Sequence, residues 1–395
     1  MEHSHPLGGG EGTKGLEMSE RGGRLVARAA TERTVRDKVF QALSGRIGRD
    51  LTKFLFRVWD LARFDFLGRP KYGIGSIDIT YRCNLNCKHC YFKQYGYGKE
   101  LSDEGWLSFF TALQETPFPF YQASWIGGEP LLRKELVGRL MKMFRSNVVA
   151  TNGTIPLPDW PDTNFYVSVD GTYEYYRDMR GQPWMYERIK KNASRPELRI
   201  IIAMVVARNN WRCIPEMLAE WSRMPVKGLL FQFYTPIRGQ NEDLWPGWDV
   251  RDQAIDQLIA LKKTYGDFII NPVSMLRLMK SDQAPEVTAR CPYARDSYAL
   301  APDGSLKKPC MMGDKADCSR CGCVLPYHSE LMRHKSLVFR ELMAAARKLF
   351  APDGRPEPGL KSKGPEAPER SETSPTSAQA QPKPTRTQEE VRADA

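Results

Sequence analysis

Three cysteines lie within one short segment, TYRCNLNCKHCYF, at Cys83, Cys87 and Cys90. Clustered thiols in a reducing compartment are typical of metal sites. A structural zinc site takes four ligands, whereas three thiolates can each hold one iron of a cubic iron–sulfur cluster. The fourth iron then has no protein ligand and can bind a chelating small molecule. The segment therefore predicts a [4Fe–4S] cluster with one open iron, and zinc with His89 as a fourth ligand is the alternative.

The stretch from Gly75 to Pro236 must position this segment, and in it short apolar runs alternate with helical patterns. Six runs are typical of strands: IGSIDITYRC, YQASWIGGE, NVVATNG, NFYVSVDG, LRIIIAMVVARNN and GLLFQFYTP. Repeated strand–helix–strand units predict a parallel sheet with right-handed crossovers. We therefore expect an α/β fold, a partial (β/α)6 TIM-like barrel, whose functional groups meet at the C-terminal ends of the strands. The cysteines, GGEP, TNG and DG each follow a predicted strand.

The segment CNLNCKHC and the GGEP sequence at residues 127–130 together resemble the two signature motifs of the radical S-adenosylmethionine (radical SAM) enzymes. The resemblance covers roughly Tyr72 to Pro236. It implies that the amino and carboxylate groups of S-adenosylmethionine chelate the open iron. It also implies that an electron from the cluster cleaves the sulfonium bond, and that the resulting 5′-deoxyadenosyl radical attacks a substrate.

The same resemblance implies a set of positions that bind S-adenosylmethionine: His89, Gly127, Gly128, Glu129, Asn152, Ser168 and Asp170. The two glycines have no Cβ, so their backbone can approach the methionyl group closely. Glu129 carries the charge that meets the methionyl ammonium. His89 occupies a position that is usually aromatic in the family and lies against the adenine. Asp170 followed by glycine is also typical of a simple turn.

Several further polar residues are weaker candidates. Asn209 or Asn210 follows the fifth predicted strand, and Gln232 and Tyr234 follow the sixth, where they could border the adenine or the substrate. Arg177 and Arg180 lie in SVDGTYEYYRDMRG, which resembles the corresponding segment of radical SAM enzymes with an extra C-terminal Cys-rich domain. They could position an acidic group or belong to a solvated helix face. Cys213 is expected to be a small buried hydrophobe.

A second group of cysteines lies at residues 291–323: Cys291, Cys310, Cys318, Cys321 and Cys323. Between them, YALAPDGSLKKPC predicts a β-hairpin with its turn at Asp303-Gly304. A hairpin flanked by cysteines resembles the auxiliary-cluster (SPASM or twitch) regions of radical SAM enzymes, although the full SPASM pattern has more cysteines. We expect a second [4Fe–4S] cluster on the first four, with Cys323 as the competing ligand. Zinc is the alternative, because Cys318-x-x-Cys321 also has the spacing of two cysteine ligands in a structural zinc site.

The composition excludes several classes of protein. The 395 residues carry a net charge of +11, yet no pattern typical of RNA or DNA binding occurs, so nucleic acid is not an expected partner. There is no long uncharged apolar run and no apolar signal-peptide core. We therefore expect a cytoplasmic protein. A basic amphipathic pattern between Arg36 and Leu67 indicates either a helix packed on the protein body or peripheral contact with an anionic membrane.

The chain is expected to contain six segments. They are a disordered N-terminus (1–24), an amphipathic helical region (25–71), a radical SAM core (72–240), a helical connection (241–285), a Cys-rich auxiliary-cluster region with a closing helix (286–350) and a disordered tail (351–395). Both terminal segments are too polar to form a packed core.

Two functions of different kinds are compatible with these patterns. The first is a radical SAM enzyme that modifies a peptide, a lipid or a cofactor precursor, with an electron donor such as flavodoxin or ferredoxin. Within it, the layout of a GGEP barrel followed by a cysteine cluster resembles the enzymes that transfer an adenosyl group to hopanoid lipids. The second is a non-catalytic, zinc- or other metal-binding barrel that acts in regulation or assembly.

Overall fold

The computed structural model describes most of the central part of the chain: residues 74–114, 122–144, 146–182, 184–291, 293–296 and 298–333, with scattered positions between 39 and 55. The chain divides into two compact units, Met1–Leu349 and Phe350–Ala395. Every described residue belongs to the first unit.

The predicted terminal segments 1–24 and 351–395 lie outside the described residues, as does most of the amphipathic region 25–71. At the few positions described in that region, Val39, Ile47 and Leu55 expose more than a third of their surface. Within the described residues, no helix combines the length and the apolar character needed to cross a membrane.

Seven strands form one open sheet: β1 (Ile74–Asp78), β2 (Gln122–Ile126), β3 (Ser146–Thr151), β4 (Asn164–Ser168), β5 (Arg199–Val206), β6 (Leu229–Phe233) and β7 (Tyr298–Leu300). Their order is β6-β5-β4-β3-β2-β1-β7, and all neighbours are parallel. The six predicted strands are thus confirmed, in sequence order, and so is the α/β class with the strands of a partial barrel.

The described helices are α1 (Asp103–Gln114), α2 (Lys134–Met141), α3 (Tyr173–Arg180), α4 (Met185–Ala193), α5 (Ile214–Trp221), α6 (Gly247–Tyr265), α7 (Val273–Leu278), α8 (Ala284–Ala289), α9 (Tyr293–Asp296) and α10 (Val324–Arg333). Short 3₁₀ turns span Tyr91–Tyr95, Pro130–Arg133, Trp211–Cys213, Glu242–Leu244, Gly266–Phe268 and Cys318–Arg320.

The strand–helix alternation fails once, between β3 and β4. The connecting segment 152–163 contains turns and no helix. Its three prolines, Pro156, Pro158 and Pro161, remove backbone donors and disfavour helical conformation in the residues before them. The segment still crosses over to a parallel neighbour, so the sheet order is unaffected.

The two faces of the sheet differ in burial. One face packs against helices to form the core, as Trp125 of β2 does against Phe110 of α1, with ring centroids 6.1 Å apart. Residues on the opposite face, such as Tyr166, Ser168 and Gln232, are only partly buried. Because side chains alternate along a strand, the partly buried residues of each strand lie on one face of the sheet.

The predicted C-terminal hairpin has an unexpected partner. The chain turns back near Gly304, whose φ is +84°, and an antiparallel bridge joins Leu300 to Leu306. The first arm of this hairpin is β7, which pairs with β1 as a seventh parallel strand. The Cys-rich region is therefore attached to the same strand that leads into Cys83.

A buried ion pair reinforces this attachment. Lys307, just beyond the hairpin turn, pairs with Asp78 at the end of β1, and both side chains are almost fully buried. Lys307 Nζ also donates to the Met311 carbonyl at 2.7 Å. Burial raises the pKa of Asp78 to about 6, against the opposing effect of Lys307. The pair joins the two cysteine-bearing regions through opposite charges.

We predict that Lys307→Met lowers the free energy of unfolding by about 3–5 kcal/mol, because it leaves the Asp78 carboxylate buried without a cation. Lys280→Met is the control, since Asp256, the partner of Lys280, is exposed to solvent and such a pair contributes about 0–1 kcal/mol. Urea denaturation of the metal-free protein measures both. Adding Asp78→Asn to Lys307→Met should recover most of the loss, and equal losses in the two single variants would contradict a buried pair.

Candidate active site

The cysteine loop, residues 81–90, connects β1 to the turn Tyr91–Tyr95. Along it Cys83 is exposed, Cys90 is partly exposed and Cys87 is buried. The Lys88 amide donates to the Met179 carbonyl at 2.8 Å, which fixes the loop to α3. The loop therefore presents three thiols at the C-terminal edge of the sheet, as its sequence predicts.

The GGEP turn, residues 127–130, docks directly on the backbone of the cysteine loop. The Gly128 amide donates to the Thr80 carbonyl and the Glu129 amide donates to the Arg82 carbonyl, each at 2.8 Å. A Cβ on Gly128 would lie 2.1 Å from the Arg82 oxygen, and one on Gly127 would lie 2.8 Å from the Thr80 oxygen. The close approach that these glycines permit is to the cysteine loop. Their predicted approach to S-adenosylmethionine stays a prediction.

Glu129 is completely buried and ties the GGEP turn to β3. One carboxylate oxygen accepts from the Thr151 hydroxyl at 2.7 Å and from the Leu131 amide at 3.0 Å. The other accepts from the Asn152 amide at 2.8 Å. Burial raises the pKa of Glu129, and these three donors oppose that rise. The second oxygen has one donor and keeps accepting capacity for a further N–H group.

Asn152 links β3 to the first cysteine. Its side-chain nitrogen donates to Cys83 Sγ at 3.8 Å and to the Asn84 side-chain oxygen at 2.8 Å. Its own oxygen accepts from the Thr154 amide at 3.0 Å and the Thr154 hydroxyl at 2.7 Å. The TNG segment thus fixes the start of the cysteine loop and directs an N–H group at a thiol.

Asp170 and Arg180 form a buried ion pair behind the second cysteine. Arg180 Nε and Nη2 each lie 2.8 Å from Asp170 Oδ2. Arg180 Nη1 lies 3.8 Å from Cys87 Sγ. The Val205 amide donates to the other Asp170 oxygen at 2.9 Å. Of the two alternatives for Arg180, contact with an acidic group is the one found, and that group is Asp170 of the protein itself. Arg177 pairs with Glu174 on the exposed helix surface.

His89 closes this arrangement from the cysteine loop. Its Nε2 lies 3.1 Å from Asp170 Oδ2, while its Nδ1 is buried without a hydrogen-bond partner. Burial lowers the pKa of His89 to about 4, and the Asp170 charge opposes this only in part. The imidazole is therefore neutral at pH 7.

The remaining predicted residues have other roles or none that is visible. The Asn210 side chain forms hydrogen bonds with the backbone. Its oxygen accepts from the Ala207 amide, and its nitrogen donates to the carbonyls of Val205 and Asp170. Asn209 donates to Asp178. Ser168 and Gln232 are partly buried on the open face of the sheet. The Tyr234 hydroxyl donates to the Gln240 carbonyl at 3.3 Å. Cys213 is in the core, 2% exposed, as expected.

The cysteine loop offers a donor set that suits an iron–sulfur cluster. Burial raises the pKa of the Cys83 thiol and raises that of Cys87 to about 11, with Arg180 opposing the rise at Cys87. Asn152 and Arg180 direct N–H groups at these two sulfurs, which favours their thiolate forms. Ligation would release the thiol protons. Among the described residues, no group of three or more His, Cys, Asp or Glu side chains is placed so that it could hold a metal ion as the side chains stand.

The segment that contains Cys321 docks on the end of β6. Cys321 Sγ accepts from the Thr235 hydroxyl at 3.9 Å, and Cys310 Sγ accepts from the Met312 amide at 3.4 Å. Gly322 docks on β6, where a Cβ would lie 2.0 Å from the Phe233 oxygen. Burial raises the pKa of Cys321 to about 12, and the nearby Cys310 and Cys291 thiols add to the rise. These sulfurs are therefore neighbours that receive N–H and O–H donors.

Comparison with known proteins agrees with this arrangement. Residues 77–218 match the Radical SAM superfamily. The chain therefore contains a region that matches the radical SAM superfamily. The matched region contains the cysteine loop, the GGEP turn and the Asp170–Arg180 pair, and the match implies a [4Fe–4S] cluster and S-adenosylmethionine. The second cluster is not implied by this match.

One curated relative, named Fe-coproporphyrin III synthase, comes from Methanosarcina barkeri (strain Fusaro / DSM 804). It is 29% identical over 202 residues, which are 46% of this chain and 49% of that protein. The chain thus matches about half the length of this relative.

Two solved structures are similar as well. The structure of native anSMEcpe with bound AdoMet is 19% identical, covers 66% of this chain and 84% of its own, and has a TM-score of 0.47. Streptococcus suis SuiB bound to S-adenosylmethionine is 14% identical, covers 77% and 75%, and has a TM-score of 0.49.

We predict that Gly128→Ala removes most of the iron bound by the cysteine loop. The added Cβ would lie 2.1 Å from the Arg82 carbonyl oxygen, so the backbone of the cysteine loop would have to shift. Gly105→Ala is the control, since its Cβ would meet only side-chain atoms at 3.3 Å and beyond. Iron analysis after anaerobic reconstitution, with circular dichroism to verify folding, measures the effect. A folded Gly128→Ala protein with the parent's iron content would contradict the role assigned to this contact.

Proposed function

We propose that this chain is an enzyme that cleaves S-adenosylmethionine reductively and uses the 5′-deoxyadenosyl radical to modify a substrate. The observation that carries the proposal is a single loop with three thiols, in which an N–H donor is directed at the sulfur of Cys83 and another at that of Cys87. A loop that supplies three thiolates to a cubic cluster leaves one iron for an external ligand. That open iron is what chelation of S-adenosylmethionine requires.

In this proposal Cys83, Cys87 and Cys90 hold the cluster. When bound, the cluster supplies the electron that breaks a carbon–sulfur bond of S-adenosylmethionine, giving methionine and the 5′-deoxyadenosyl radical. Asn152 and Arg180 donate to the ligand sulfurs and orient them. A reductant such as flavodoxin or ferredoxin must deliver the electron.

Binding of S-adenosylmethionine is assigned to the residues around the cluster: His89, Gly127, Gly128, Glu129, Asn152, Ser168 and Asp170. Glu129 is the clearest of these, because its second carboxylate oxygen keeps room for a donor and its charge complements the methionyl ammonium. Asp170 acts through Arg180, since both of its oxygens already accept from the protein.

The substrate class is a second part of the proposal. A peptide, a lipid and a cofactor precursor are the three candidates, and similarity to a protein named Fe-coproporphyrin III synthase favours a cofactor precursor. Adenosyl transfer to a hopanoid-type lipid is the lipid variant. If the substrate is such a lipid, we propose that residues 25–71 of this cytoplasmic protein contact the membrane surface.

We also propose a second [4Fe–4S] cluster on the C-terminal cysteines, with zinc as the alternative metal. The support is the donor set itself: five thiols within residues 291–323, of which Cys310 and Cys321 receive hydrogen bonds at sulfur. Cys291, Cys310, Cys318 and Cys321 are the proposed ligands, and Cys323 competes with Cys318, the most exposed of the five.

The test is release of 5′-deoxyadenosine from S-adenosylmethionine by anaerobically reconstituted protein with dithionite. We predict slow release without substrate and none after Cys83, Cys87 and Cys90 are changed to Ala. Cys213→Ala is the control, because it removes a buried core thiol to which no ligand role is assigned, and it should retain release. Colourless protein that contains only zinc and releases nothing would support the non-catalytic alternative.

The same assay separates cofactor binding from cluster assembly. Glu129→Gln keeps the shape of the side chain and removes its charge. We therefore predict normal iron content and an affinity for S-adenosylmethionine at least roughly tenfold weaker than that of the parent protein. Glu104→Gln, on the exposed surface of α1, should behave as the parent. Equal affinity in the parent and Glu129→Gln would refute the role given to Glu129.

A further inference from the structure

Arg251 is a fully buried cation beside the C-terminal cysteines. It lies on α6, and its side chain reaches α10 and the Cys321 segment. Nη1 donates to the Cys321 carbonyl at 3.0 Å and Nη2 donates to the Tyr327 hydroxyl at 2.8 Å. The Tyr327 hydroxyl in turn donates to the same Cys321 carbonyl at 2.9 Å. Two donors therefore converge on the backbone of one proposed ligand.

Three aromatic rings enclose the guanidinium. Its central carbon lies 4.9 Å from the ring centroid of Phe233, 5.0 Å from that of Trp248 and 5.8 Å from that of Tyr327. Ring faces attract a cation, but they do not neutralise its charge. The Nε–H group is buried and has no hydrogen-bond partner.

The charge of Arg251 has no acidic partner in the described part of the chain. The two other buried cationic side chains there, Arg180 and Lys307, each pair with a buried aspartate. No described carboxylate lies within ion-pair distance of Arg251. A buried charge without an opposite charge is strongly unfavourable, so an anion is expected close to this side chain.

The Cys-rich segment adjoins Arg251 and becomes negatively charged when its thiols ionise. Cys321 and Cys323 flank Gly322, which docks on β6, and Arg251 donates to the carbonyl of Cys321 itself. Metal ligation converts such thiols into thiolates. A centre with four thiolates carries net negative charge whether it holds an iron–sulfur cluster or zinc.

We propose that Arg251 is the built-in positive counter-charge of the C-terminal thiolate centre and holds the Cys321 segment in place for ligation. This inference rests on the second centre under Proposed function and does not depend on cleavage of S-adenosylmethionine. Arg251 is a positioning residue, since it acts on the centre through the Cys321 backbone and through its charge.

The test uses full-length protein in which Cys83, Cys87 and Cys90 are changed to Ala, so that only the C-terminal centre binds metal. Arg251→Met is compared with this background by redox titration followed by electron paramagnetic resonance. A fixed positive charge favours the reduced cluster, so its removal should make reduction about tenfold less favourable, a shift of ~59 mV to more negative potential. If the background holds zinc, zinc affinity in competition with a chelator should fall about tenfold.

Two further variants separate charge from packing. Tyr327→Phe removes hydrogen bonds around Cys321 but keeps the cation. The equilibrium constant for reduction of its cluster should therefore stay within about twofold of the background value. Arg251→Lys keeps the charge and should retain iron and potential even where Arg251→Met fails to fold. Two results would overturn the counter-charge role of Arg251 and leave the second centre intact. One is a folded Arg251→Lys protein without iron, and the other is an iron-loaded Arg251→Met protein with an unchanged potential. A background protein that binds neither iron nor zinc would overturn the second centre, and the role of Arg251 with it.

Discussion

The backbone contact between the GGEP turn and the cysteine loop is the constraint on which the site depends. The loops follow β2 and β1, which are parallel neighbours, so both emerge at the same edge of the sheet. Two hydrogen bonds join their backbones directly, and only residues without a Cβ fit between them. Once this contact forms, Glu129 lies buried beneath the cysteines, and its carboxylate fixes Asn152 of the next loop. Three consecutive strand ends are thereby locked around the thiols.

Two buried ion pairs connect this centre to the rest of the molecule, one beside the cysteine loop and one at the C-terminal hairpin. The Asp170–Arg180 pair lies behind Cys87 and presents an N–H group to its sulfur. The Asp78–Lys307 pair joins β1 to the C-terminal hairpin. Gln94 adds a hydrogen bond to the Met312 carbonyl at 2.7 Å, from the turn that follows the cysteine loop. The two cysteine regions are therefore held together by polar contacts that are costly to break when buried.

Local patterns in the sequence predicted much of this and missed what depends on distant partners. The six strands of the core were recognisable because each is an apolar run between turn signals, and the three thiols are adjacent in sequence. The seventh strand, Tyr298–Leu300, was predicted only as the first arm of a hairpin, and its pairing with β1 had no local signal. Arg180 and Asp170 are ten residues apart with a helix between them, so their pairing required the fold. Arg251 gave no signal, since an arginine in an amphipathic helix is normally solvated; Trp248 one turn earlier was the only hint of its enclosure.

The central claim is that a cluster held by Cys83, Cys87 and Cys90 binds S-adenosylmethionine at its open iron. The most direct measurement is electron paramagnetic resonance of the dithionite-reduced protein, prepared without oxygen, before and after S-adenosylmethionine is added. We predict a [4Fe–4S] signal that is absent when these cysteines are changed to Ala and whose g values change when S-adenosylmethionine binds. A cluster signal that stays the same after saturating S-adenosylmethionine is added would contradict the account.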